Sequence, residues 1–307
     1  MSVIGIDTSN YTTSIAFFDG IGGENCSRLL PVKQGELGLR QSDAVFAHTK
    51  SLPELSGRLF SHVQKDSITA VGVSTRPRAV EGSYMPCFMV GYSHAKLLSD
   101  VLDVPLVEVS HQQGHVAASL WSADRLDLMD QPHLACHLSG GTTELLLVEP
   151  EEKNVICTKI GGTTDISAGQ LIDRTGQLLQ LPFPSGKHLD VLSSEATLKE
   201  TFRVKCTDME FSLSGVQNKV QQFHAAHQEA AETAGYALRC VAKAVFLATE
   251  QALKAYPGLP VVFSGGVASN SLLRQVIAPL NPIFAQPQYS TDNAMGVAVL
   301  AHRITEA

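Results

Sequence analysis

The stretch VSHQQGH, residues 109–115, sets His111 and His115 four positions apart. On a helix, positions i and i+4 share one face, close enough for both imidazoles to bind one metal ion. The best-known motif of this shape, H-E-x-x-H, carries a glutamate after its first histidine to activate metal-bound water. Here Gln112 stands in that place and cannot act as a base. The pair could therefore hold a metal but lacks the residue that peptide hydrolysis needs. The plain alternative is two histidines on a half-exposed helix.

Two further candidates are short glycine loops between apolar runs: SGGTT at 139–143 and SGGVASN at 264–270. Glycine lets the backbone approach a ligand and turn its N–H groups inward as an anion nest. The second loop also runs into a helix, whose N-terminus favours anions. Either loop alone would more often be a tight turn. The chain opens on a third unit of this kind, VIGID–TSNYTT–SIAFF, which predicts a strand–loop–strand hairpin with Asp7 at the end of its first strand. A Walker A loop is missing: before Gly186-Lys187 the first glycine is replaced by Leu181, and His188 stands where Ser or Thr should follow.

These groups sit in an ordinary globular composition, 44% hydrophobic with a net charge of −7 and no basic run. A protein that grips nucleic acid alone usually carries a basic stripe, so any RNA partner must meet a small local patch or a helper protein. The six cysteines are scattered without a C-x-x-C pair, as buried thiols are in a reducing compartment. The opening residues lack the basic region of a signal peptide, and no apolar run reaches membrane-spanning length. The expectation is a soluble, cytoplasmic protein, without membrane or DNA contact.

Apolar spacing predicts helices over 43–65, 86–102, 110–121, 166–181 and 228–256, with Pro53 kinking or dividing the first. Short strands are predicted at 70–74 and in VPLVEV, 104–109. A last helix begins near Asp292, with Asp292 or Thr291 as its N-cap. Strands alternating with helices predict an α/β protein with a mixed sheet in each of two lobes.

Taken in order, VIGIDTS, VEVSHQQGH, LSGGTTELLLV, ISAGQLIDRTGQLL, PFPSG, FSLSGVQN, SGGVASNSLLR and TDNAMGVAVLAH resemble the TsaD family nearly end to end. That family makes threonylcarbamoyl-adenosine in tRNA and was formerly described as an O-sialoglycoprotein endopeptidase. It belongs to the two-lobed actin/Hsp70/sugar-kinase superfamily. The resemblance implies an acyltransferase moving a threonylcarbamoyl group from an adenylate to the tRNA adenosine beside the anticodon. It implies one divalent ion per subunit, iron or zinc, on His111, His115 and Asp292, with ATP or an acyl-adenylate in the cleft between lobes. That role needs no hydrolytic base at Gln112.

Carried over position by position, nucleotide contacts fall on Ser139, Gly140 and Gly141, on Asp173 and Gly186 near the sugar, and on Asn270 near the base. Asp7, Ser9 and Thr12 are possible first-loop contacts, and no catalytic residue is assigned. The plain alternatives are a surface ion pair for Asp173, for example with Arg174, and a turn role for Asn270. The implied organisation is an N-terminal lobe over 1–130, a C-terminal lobe over 131–290 and a return helix over 291–307 that packs on the first lobe and supplies Asp292. Partner proteins of a tRNA-modification complex, and tRNA itself, are the implied partners.

The chain departs from the family pattern near the expected acceptor. Tyr11 and Thr12 replace an acidic Asp-Glu pair, Thr142 a histidine, Ser110 a frequent histidine, and RPRAVEG at 76–82 follows where the family has Gly-Pro-Gly. A diverged paralogue with a small-molecule acceptor, as a carbamoyltransferase or an ATP-dependent enzyme, is one alternative. A nucleotide-binding scaffold subunit is another.

Overall fold

The computed structural model describes residues 1–9, 11–31 and 39–306. In chain order the strands and helices are β1 (Ser2–Ser9), β2 (Thr12–Phe18), β3 (Gly23–Leu29), α1 (Gln41–Phe60), β4 (Ile68–Arg76), α2 (Phe88–Leu102), β5 (Leu106–Ser110) and α3 (His111–Ser122). There follow β6 (His133–Leu138), β7 (Thr143–Glu151), β8 (Asn154–Thr163), α4 (Ala168–Leu178), α5 (Gly186–Ser193), β9 (Cys206–Thr207), β10 (Glu210–Phe211), α6 (Ser214–His227) and α7 (Ala230–Ala255). The chain closes with β11 (Val261–Ser264), α8 (Ser271–Ile277), β12 (Ile283–Phe284) and α9 (Met295–Thr305). It divides into two compact units, one made of residues 1–131, 149–157 and 288–307, the other of 132–148 and 158–287. No helix among the described residues is long and apolar enough to cross a membrane.

The first unit holds a mixed five-stranded sheet, β3-β2-β1-β4-β5, in which β1, β4 and β5 run parallel and β2 and β3 complete an antiparallel edge. Every residue of β1 is buried, as a central strand covered on both faces requires. Ile4 and Ile6 pack with Leu52, Leu55 and Leu59 of α1. The intervening Gly5 lies under α9, and a Cβ there would come within 2.5 Å of the Ala294 carbonyl oxygen. Helix α9 also crosses α3 so closely that a Cβ on Gly296 would collide with the Gly114 carbonyl. Two glycines at that crossing are what let the end of the chain reach the histidine helix.

Three local expectations change. The expected polar loop at 8–13 is largely strand, because Thr8↔Thr13 and Ser9↔Thr12 still pair across the hairpin. Helix α1 ends at Phe60 and is not divided at Pro53. Pro53 can donate no bond to Thr49, but both residues are exposed and water can satisfy the freed carbonyl. Finally, α9 starts at Met295, with Ala294 rather than Asp292 or Thr291 in the N-cap position. Asn293 Oδ1 accepts the Met295 N–H at 3.1 Å, so the carboxylate before it is released for other use.

The second unit contains a seven-stranded mixed sheet, β12-β11-β6-β7-β8-β10-β9. Its core gathers around α7, whose buried alanines bring it against the helices α4, α5, α6 and α8.

Candidate metal centre and nucleotide loops

Strand β5 delivers the chain to α3 through a capping box. The Ser110 hydroxyl accepts the Gln113 N–H at 3.2 Å, and the Gln113 side chain accepts the Ser110 N–H at 2.8 Å. Helix geometry then sets His115 edge-to-face with His111, with Nε2 atoms 3.0 Å apart. Asp292, brought in by the α3–α9 crossing, places Oδ1 3.2 Å from His115 Nε2 and 3.6 Å from His111 Nε2. Ligands at about 2.1 Å from a tetrahedral ion lie roughly 3.4 Å from one another. The triangle fits one ion of zinc or iron size, and three protein ligands leave a position open. It is the metal-capable His/Cys/Asp/Glu group found among the described residues.

Asp7, 1% exposed, supplies what lies behind the ligands. Its Oδ2 stands 2.7 Å from His111 Nδ1, while its Oδ1 accepts the Ser9 N–H at 3.0 Å and the Ser74 hydroxyl at 2.8 Å. A carboxylate on Nδ1 keeps the proton there and leaves Nε2 free to ligate. Ser9 Oγ donates to Asp292 Oδ2 at 3.4 Å. Thr12 faces Ser9 across the last pair of the hairpin and is buried. Burial disfavours the His111 imidazolium, but Asp7 and then Asp292 outweigh it and push the group up to about 10. Burial opposes the Asp292 carboxylate too, and the bonds from His111 and His115 hold it well below the usual range. The cluster calls for positive charge.

In the second unit, the turn from β6 to β7 closes through Ser139 N–H to Thr142 O at 2.8 Å and Thr142 N–H to Ser139 Oγ at 3.0 Å. The start of α4 grips this loop from one side. Ser167 Oγ donates to Gly140 O at 2.6 Å, Ala168 N–H to Thr143 Oγ1 at 2.8 Å, and Gly169 N–H to Ser139 O at 3.2 Å. A Cβ at Gly140 or Gly141 would meet nothing within 4 Å, so the other side of the loop is open.

Further along α4, Asp173 accepts the Ser185 N–H at 2.8 Å, next to Gly186 at the start of α5. Arg174 instead donates to Gln217 at 2.7 Å, which sets aside the alternative of an ion pair between it and Asp173. Burial raises the Asp173 carboxyl and the Ser185 bond only partly offsets it. Asn270 is the N-cap of α8: its Oδ1 accepts the Leu273 N–H at 2.9 Å and its Nδ2 donates to Asp190 Oδ1 at 2.8 Å. Both ends of that amide are engaged, beyond the simple turn role considered from sequence. Asp173, Gly186 and Asn270 are thus all tied to α5.

Sequence reasoning passed over Asp190 and Asp165. Asp165 takes the hydroxyls of Ser212 and Ser214, each at 2.5 Å, and the Leu213 N–H at 2.8 Å, fixing the entry to α6. Burial works against this carboxylate, but those donors hold it far below its usual range. An isolated aspartate before ISAG and the Ser-x-Ser of FSLSG were the available signal.

Comparison with known proteins bears on what these two groups do. The family described as TsaD, tRNA N6-adenosine threonylcarbamoyltransferase, matches residues 36–299. A protein of that name from Carboxydothermus hydrogenoformans is 30% identical, over 98% of this chain and 91% of its own length. One from Streptococcus equi subsp. zooepidemicus is 31% identical, over 71% of this chain and 64% of its own. Among solved structures, full-length HypF in a phosphate- and nucleotide-bound form superposes with a TM-score of 0.64 at 15% identity, over all of this chain and 47% of that one. A ROK-family glucokinase from Streptomyces griseus, with glucose and AMPPNP, gives 0.55 at 11% identity over 99% and 100% of the two chains. These structures show the fold alone, one shared with HypF and with a sugar kinase.

Proposed function

We propose, on the premise that this chain belongs to the TsaD family, that it transfers a threonylcarbamoyl group from an adenylate to N6 of a tRNA adenosine, in the cytoplasm and with partner proteins. The observation that carries the reading is the His111–His115–Asp292 triangle backed by Asp7. A divalent ion bound there, iron or zinc, would polarise the acyl donor and neutralise phosphate charge. His111, His115 and Asp292 would hold the ion, and Asp7 would keep the His111 proton on Nδ1. The SGGTT loop, with its open face at Gly140 and Gly141, would take phosphate, and the α5 cluster of Asp173, Gly186 and Asn270 would take the adenosine. In the transfer, the N6 nitrogen bonds to the carbamoyl carbon, the bond from that carbon to the AMP phosphate oxygen breaks, AMP leaves, and one proton passes from N6 to water.

The loss of the acidic pair at Tyr11 and Thr12, and of histidine at Thr142, favours a second reading in which the acceptor is a small molecule. Incubation with threonylcarbamoyl-adenylate and tRNA, with partner proteins supplied, followed by mass analysis of the nucleosides, separates the two. Threonylcarbamoyl-adenosine supports transfer to tRNA. Its absence, with the same protein carbamoylating a small acceptor, replaces that reading with the second.

A further inference from the structure

Strands β1, β4 and β5 are parallel, so Ser9, Arg76 and Ser110 end at one edge of the first sheet. Strand β4 finishes at this edge in Arg76-Pro77-Arg78, with both arginines exposed. Arg76 is in register with Ser110, the residue before His111. The Pro77 carbonyl then accepts the backbone N–H of Gln112 at 3.0 Å, which fastens the tripeptide to the first turn of α3. Beyond it the loop closes on itself, Arg78 N–H to Ser83 Oγ at 3.0 Å and Ser83 N–H to Val80 O at 3.2 Å. It holds Tyr84 63% exposed.

Two charge changes converge on this edge. The acidic pair that the family pattern places at 11 and 12 is gone, and two arginines stand where it has glycines. Both changes favour an anion, in a chain whose net charge is −7. Glu81 is the loop's own acid and leaves it net positive. Arginine forks match phosphate oxygens, and an exposed tyrosine offers a face on which an unpaired base can stack.

We infer that the Arg76–Tyr84 loop is the RNA-binding edge of the metal centre, with Arg76 and Arg78 on backbone phosphates and Tyr84 under an unpaired base. The inference rests on the tRNA reading above. It accounts for how an acidic chain lacking a basic stripe reaches RNA: a small patch of positive charge sits on the loop fastened to the histidine helix.

The test is equilibrium binding of tRNA across a salt series, for the wild-type chain with its partners, for Arg76→Glu/Arg78→Glu and for Tyr84→Ala. Each lost phosphate contact should lower the slope of log affinity against log salt by roughly 0.7–0.9. The double variant should therefore lose about 1.4–1.8 in slope and at least about tenfold in affinity at low salt. Tyr84→Ala should weaken binding roughly fivefold or more with the slope unchanged. Circular dichroism and melting temperature check that both variants are folded. A double variant that binds and modifies tRNA like the wild type overturns the loop assignment and leaves the proposed function standing. A wild-type chain that neither binds nor modifies tRNA overturns both.

Discussion

Replacing Asp7 by asparagine keeps the shape of the side chain and changes which nitrogen of His111 carries a proton. Asp7 Oδ1 accepts from both the Ser9 N–H and the Ser74 hydroxyl. An asparagine must therefore turn its oxygen toward those donors and its NH2 toward His111 Nδ1, where the carboxylate oxygen stood at 2.7 Å. Facing a donor, Nδ1 has to accept, and the imidazole proton moves to Nε2, the atom meant for the metal. The opposite orientation would set the NH2 against two donors in a site 1% exposed to solvent. Removing a partner behind a metal-bound histidine usually costs about 10–100-fold in metal affinity, roughly 1.4–2.7 kcal/mol. Full burial and a forced tautomer put Asp7→Asn at the upper end. Zinc competition against a chromophoric chelator measures it, with Ser74→Ala as the comparison: that change removes one of the two bonds holding Oδ1 and should cost less. An Asp7→Asn dissociation constant within about twofold of wild type, in a folded protein, would refute the tautomer argument.

Four other outcomes follow from the same geometry. In the metal-free protein His111, pushed up to about 10 from an unfolded value near 6.5, contributes stability that is complete below about pH 6.5 and lost as pH rises through 10. At pH 7–8 zinc must displace that proton, so calorimetry in buffers of different ionisation enthalpy should register about one proton released per ion, and none if His111 is already neutral. Gly296→Ala drives a methyl into the Gly114 carbonyl, and should cost about 1–3 kcal/mol in urea denaturation while weakening zinc binding through the displaced Asp292. Gly141→Val enters open space, so stability should stay within about 0.5 kcal/mol while calorimetric binding of ATP is lost; unchanged binding would make the loop a turn only.

Local signals read from the sequence did well where chemistry is carried by neighbours. The i, i+4 spacing put His111 and His115 on one face without reference to anything distant, and the small polar loops after apolar runs marked the ends of β6 and β11. As a ligand Asp292 entered through family resemblance alone, because its meeting with the histidines depends on two glycines at a helix crossing that no periodicity shows. The N-cap expected there failed for the same reason: the carboxylate is committed elsewhere, and Asn293 takes up the helix N–H. Asp7 was visible as a strand-end acid, but not its partner, since 104 residues separate it from His111. Asn270 preceding a helix had the residue type of an N-cap, and its second bond, to Asp190, lies 80 residues away. Pro53 left α1 undivided, and the carbonyl it frees at Thr49 faces water.

The crossing of α3 and α9 also sets an order in time. His115 and Asp292 are 177 positions apart, and the whole second unit is encoded between them. During synthesis the histidine helix and all five strands of the first sheet leave the ribosome long before the third ligand exists. An ion tied across such a span would close a loop whose length-dependent entropy is roughly 4–5 kcal/mol. It would act as a clasp on a first sheet already made rather than as a seed for folding. Metal uptake by this protein would therefore report that the segment carrying Asp292 has been made and has docked on the first unit, and release of nascent chains truncated before residue 292 should yield material that cannot retain zinc.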